Sequence, residues 1–214
     1  MILYLYCMTF FEHKILPAVT FPVIEEAIPV TEALARGGLP VLEVAFRTPV
    51  AASSIKMIRK VFPEVTIGAG TILTIEQLHK AIDAGAQFGL SPGLNARIVK
   101  EARRLRFPFI PGVMTPSDIE LAVELGCTVL KLFPAAQIGG VDFLKAMDGP
   151  YGHLELQYIP MGGVNLLNMN DYLELKQVVA IGGSWLASAS LITRKDYAAI
   201  EQNAREAVNK AYSK

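Results

Sequence analysis

The segment Val41-Leu42-Glu43-Val44-Ala45-Phe46-Arg47 is apolar at both odd and even positions apart from its charged residues. Strands of parallel sheets read this way because helices or a barrel interior cover both of their faces. Seven further runs share the character: Ile15 to Val19, Thr66 to Ala69, Phe88 to Ser91, Phe109 to Pro111, Thr128 to Phe133, Leu156 to Met161 and Val178 to Ile181. From the second run onward their starts follow at intervals of about 19 to 28 residues, close to one strand-helix unit each. Eight such units in one chain predict a single-domain (β/α)8 TIM barrel over residues 1–214. Periodicity does not register closure, so an open parallel sheet is the alternative.

Helix signals fall where this scheme needs them. Thr48-Pro49 and Thr115-Pro116 each offer an N-cap followed by proline, and Thr74 with Gln77 reads as a capping box. Gly37-Gly38, Gly85 and Gly126 supply stops. Tyr197, Ile200, Ala204, Val208 and Ala211 recur every three to four residues, which predicts an amphipathic closing helix.

Bulk properties narrow the function. With 214 residues, 52% of them hydrophobic and 19% charged, the chain has enough apolar material for one core. Twenty basic and twenty acidic residues cancel, which argues against a nucleic-acid partner. Cys7 and Cys127 sit in apolar sequence without metal-ligand spacing and read as buried thiols of a reducing compartment, with the cytoplasm as default. Residues 1–14 read as an N-terminal helix or arm. Their apolar stretch has no basic leader and is interrupted by Glu12, His13 and Lys14 well short of a membrane span.

Charges inside apolar strands need a reason, because burying an unpaired charge is costly. Glu43 and Arg47 are four residues apart, hence on one face of an extended strand, with Arg47 about 13 Å closer to the C-terminal mouth. In the run Thr128 to Phe133, Val129, Lys131 and Phe133 share a face. A lysine in an apolar wall suits nucleophilic attack on a ketone, and a nearby glutamate suits proton transfer. An arginine at the mouth suits a substrate carboxylate. Spacing alone equally fits a lysine-glutamate pair filling the barrel and a surface arginine capping a loop.

Two glycine pairs follow the last two runs, Gly162-Gly163 and Gly182-Gly183, the second continued by Ser184. Loops in these places of a barrel build phosphate sites from backbone N–H groups. His13, His79 and His153 are scattered without ligand spacing, so no metal site is expected.

Taken in order, Leu42 to Thr48, Gly68-Ala69-Gly70-Thr71, Ser91-Pro92-Gly93, Pro111 to Pro116, Lys131-Leu132-Phe133-Pro134-Ala135, Pro160 to Gly163 and Gly182 to Trp185 resemble the 2-keto-3-deoxy-6-phosphogluconate (KDPG) aldolase / 4-hydroxy-2-oxoglutarate (KHG) aldolase family. The resemblance implies a class I, Schiff-base aldolase that cleaves a keto-acid sugar phosphate to pyruvate and glyceraldehyde 3-phosphate. It implies no metal and no organic cofactor, and a homotrimer. By position it makes Lys131 the Schiff-base lysine and Glu43 the proton shuttle, with Arg47 and Thr71 on the keto acid. Pro92 and Phe133 become pocket walls, and Gly162, Gly163, Gly183 and Ser184 the phosphate site. Met161 departs from the family's usual threonine, which removes a hydroxyl and puts substrate preference in question. Two rival functions are a phosphosugar isomerase or decarboxylase on the same barrel and a non-catalytic phospho-ligand binder.

Overall fold

The computed structural model describes residues 11–212. Cys7 and most of the expected N-terminal arm lie outside the described residues. The fold is α/β, built on a curled parallel sheet in two hydrogen-bonded parts. The larger runs in the order β5 (Phe109–Ile110), β4 (Phe88–Leu90), β3 (Thr66–Gly70), β2 (Val41–Ala45), β1 (Ile15–Val19), β9 (Ile181–Gly183). The smaller runs β6 (Gly112–Val113), β7 (Val129–Leu132), β8 (Gln157–Pro160).

The fifth predicted run ends at Pro111, which separates β5 from a further short strand, β6, since proline has no N–H to give to a ladder. Its carbonyl still accepts from the Lys131 N–H at 2.9 Å. At the other seam, isolated parallel bridges join Tyr158 to Val178 and Met161 to Gly182. The eighth strand lies three residues later than predicted. Val178 and Ala180 are buried, which made their segment look like strand, yet continuous pairing with β1 begins at Ile181.

The main helices between strands are α1 (Ala27–Arg36), α2 (Ala51–Val61), α3 (Ile75–Asp83), α4 (Ala96–Arg104), α5 (Pro116–Glu124) and α6 (Gly140–Tyr151). The closing helix, Tyr197–Tyr212, buries Ile200, Ala204 and Ala207. Thr115 forms the expected cap, reinforced by a reciprocal bond from Asp118. Thr74 caps α3 by accepting from the Gln77 N–H, while the Gln77 amide oxygen accepts from Leu73 instead of completing a box on Thr74. Thr48 caps nothing. Its hydroxyl donates to the Phe21 carbonyl, and α2 starts three residues later. Gly38, Gly85 and Gly126 end helices with φ of 94°, 94° and 73°.

Alternation along the strands divides the core in two. Leu42, Val44, Ile67, Ala69, Leu130 and Leu132 face the helices, whereas Leu16, Val41, Phe88, Leu90, Val129 and Ile159 fill the concave side. Phe11 and Phe88 meet edge to face there, 5.8 Å between ring centres. The functional side chains project into the C-terminal end of this interior. No helix among the described residues is long and apolar enough to cross a membrane.

Candidate active site

On β7 and β2 the inward positions that continue from Val129 and Val41 carry Lys131 and Glu43. The lysine Nζ lies 3.5 Å from the Glu43 Oε1, and the two side chains are only 7% and 2% exposed. Burial leaves these charges few partners besides each other. The second carboxylate oxygen of Glu43 is buried without a hydrogen bond, in a residue that lines a cavity. Phe133 forms the wall beside the lysine, its ring centre 5.4 Å from Nζ.

The cavity measures about 250 Å³. Its lining brings together Lys131, Glu43, Arg47, Phe133, Gly162, Gly163, Gly183 and Ser184, eight of the ten residues picked from sequence. Arg47 enters differently from expectation. β2 stops at Ala45, so Arg47 belongs to the turn that follows and is exposed at the rim. Its backbone N–H closes a tight turn on the Ala45 carbonyl. Gly162 and Gly163 have φ of 88° and 78°, a region that favours glycine, and a Cβ on Gly163 would lie 2.4 Å from that of Ala136.

Thr71 and Pro92 do not line the cavity. Both are half-buried at the C-terminal ends of neighbouring strands, after β3 and β4. Thr71 follows β3 with a φ of 56°, unusual for a β-branched residue, and a Cβ on Gly112 would strike the Pro92 carbonyl at 2.2 Å. Gly112 is the register partner of Lys131 and shares its inward face, which places the Pro92 carbonyl on the concave side beside the lysine's neighbour.

Thr20, Val164 and Trp185 line the cavity without having been singled out as site residues. Thr20 immediately follows β1, Val164 follows the first glycine pair and Trp185 the second, all at the C-terminal ends of strands. Met161 is 2% exposed and packs into the space left by Gly182, where a Cβ would be 2.1 Å from the methionine Cε. A larger cavity, about 310 Å³, opens near the start of β8 between Asp148, Tyr158 and Lys176 and holds none of the candidate residues. The Tyr158 hydroxyl there is pushed up to about 12, first by burial and then by Tyr151 and Asp148.

Among the described residues no group of three or more His, Cys, Asp or Glu is placed to hold a metal. His79 pairs with Glu101 on the surface at 2.8 Å. Cys127 is half-buried and its thiol is pushed up to about 11 by burial, only partly offset by Arg103.

The family model "KDPG and KHG aldolase" matches residues 8–203. The chain belongs to this family. The KHG/KDPG aldolase of Escherichia coli K12 is 42% identical over 197 residues, covering 92% of each chain. Among solved structures of the family, the KDPG aldolase of Legionella pneumophila, with pyruvate captured as a covalent carbinolamine, superimposes with a TM-score of 0.88. It is 35% identical and matches over 92% of this chain and 96% of its own. The Zymomonas mobilis KDPG aldolase with 3-phosphoglycerate follows at 0.87, 37% identical, over 94% and 93%.

Proposed function

We propose that this member of the KDPG and KHG aldolase family is a class I aldolase that cleaves 2-keto-3-deoxy-6-phosphogluconate to pyruvate and glyceraldehyde 3-phosphate through a Schiff base on Lys131. The observation that carries this is the buried pair at the cavity floor, an amine and a carboxylate 3.5 Å apart. Membership of the family supports the reaction, and pyruvate held as a carbinolamine in the Legionella relative supports the covalent route.

In this mechanism the Lys131 amine attacks the C2 ketone, and the carbinolamine loses water to give an iminium ion. Arg47 at the rim fixes the C1 carboxylate with its planar fork. Glu43 takes the C4 hydroxyl proton as the C3–C4 pair of electrons moves into the iminium, releasing the aldehyde and leaving an enamine. Protonation at C3 and addition of water then return pyruvate and the free amine. Backbone N–H groups at Gly162, Gly163, Gly183 and Ser184 receive the phosphate. Thr71 contacts the keto acid from the end of β3, and Pro92 walls the pyruvyl pocket from the end of β4. The same floor accepts 4-hydroxy-2-oxoglutarate as a second substrate, giving pyruvate and glyoxylate.

Strand pairing supports reading the sheet as one eight-stranded barrel, with β5 and β6 as a single strand broken at Pro111 and the Met161–Gly182 bridge closing the ring. One domain, a homotrimeric assembly and a cytoplasmic setting complete the reading. Borohydride reduction in the presence of pyruvate, followed by peptide mass mapping, tests its centre. A pyruvate adduct on the Lys131 peptide is expected, and folded protein without one overturns the assignment.

A further inference from the structure

On β3 the two inward positions, Gly68 and Gly70, carry no side chain, and each empty place is filled by a neighbour. A Cβ on Gly68 would lie 2.2 Å from the ring of Phe88. A Cβ on Gly70 would lie 1.6 Å from the Glu43 Oε1, 2.3 Å from its Cδ and 2.5 Å from its Cγ. The register pairs Glu43 with Gly68 and Ala45 with Gly70, so the carboxylate leans one inward pair forward, across β3 and towards the C-terminal end. Gly70 is not among the glycines with positive φ, so its backbone does not require glycine. Glycine inside a strand costs stability relative to residues with side chains. What the position supplies is space.

We propose that Gly70 is a positioning residue for the reaction, whose missing side chain seats the Glu43 carboxylate against Lys131. The inference rests on the aldolase reading for its catalytic meaning. The seat itself is a packing fact that holds whatever the chemistry. Any side chain at 70 displaces the carboxylate by more than an ångström, because the clash falls on the last three heavy atoms along its stem and not on one flexible tip.

The test is a mutant cycle between Gly70→Ala and Glu43→Ala, measured in the full-length protein for KDPG cleavage and for thermal midpoint. Gly70→Ala alone is expected to lower kcat about 100-fold, the usual cost of a 1 Å misplacement of a reacting group. Its KM is expected to stay within about threefold of wild type, so that the loss falls on kcat, as in Glu43→Gln. In the Glu43→Ala background the same alanine is expected to cost neither further activity nor further thermal stability, since nothing remains for it to strike. Unchanged kcat in Gly70→Ala overturns the proposal, and so does an equal penalty in both backgrounds. If Gly70→Ala fails to fold, a folded double variant supports the seat and an unfolded one overturns it. Absence of a borohydride-trapped adduct in wild type would remove the aldolase reading while leaving the stability coupling to be measured by itself.

Discussion

The floor and the rim of the cavity use polar groups in opposite ways. At the floor, Lys131 and Glu43 are almost wholly removed from water, meet each other at 3.5 Å, and leave one carboxylate oxygen unsatisfied. At the rim, Arg47, Gly163 and Ser184 are exposed, and backbone N–H groups of glycines in the left-handed region are ready-made anion donors. Water competes for every rim contact, so each is worth little alone. At the floor there is no such competitor, so a donor that reaches the unsatisfied carboxylate oxygen gains more than the same contact at the rim. In the proposed mechanism, bond making falls where hydration is lost and substrate selection where it persists.

Lys131→Met breaks the comparison most severely. Turnover is expected to fall by about four orders of magnitude or more, with loss of the trapped pyruvate adduct, as for removal of a covalent nucleophile. Glu43→Gln keeps the shape of the floor and removes its proton carrier. It should lower kcat by about 10²- to 10³-fold in steady-state kinetics while pyruvate remains trappable on Lys131. Arg47→Ala moves to the rim and should raise KM for the keto acid about 10- to 100-fold, the value of a charge-assisted hydrogen bond. Ser184→Ala should have the smallest effect, about a three- to tenfold rise in KM for the phosphorylated substrate, corresponding to roughly 1 kcal/mol. Pyruvate proton exchange should not respond to it. If exchange is impaired, Ser184 belongs functionally to the floor.

The floor was legible in the sequence because a lysine and a glutamate inside apolar runs violate the pattern that makes those runs strands. The rim was legible only in part. Arg47 looked like a strand residue because Phe46 continues the apolar alternation, yet the chain turns at Ala45, and no periodicity marks a turn of that kind. Thr48 looked like a cap because threonine before proline favours one, whereas its hydroxyl is spent across the fold on Phe21, a contact local sequence does not contain. Gly70 stood inside the Gly68-Ala69-Gly70-Thr71 motif without a reason, since what fills its vacant face comes from another strand. Spacing placed Thr71 and Pro92 at the ends of β3 and β4, where they stand, because it fixes which strand end a residue occupies and not the direction of its side chain.

The packing of Met161 on Gly182 bears on how such an enzyme can diversify. A Cβ at 182 would lie not only on the methionine but also 2.8 Å from the Leu16 carbonyl, so the main chain of β1 forbids a side chain there regardless of what stands at 161. The room beside position 161 is therefore guaranteed by backbone. Position 161 can thus change without a second change at 182, and since Met161 lines the cavity, that one position sets part of the shape of its wall.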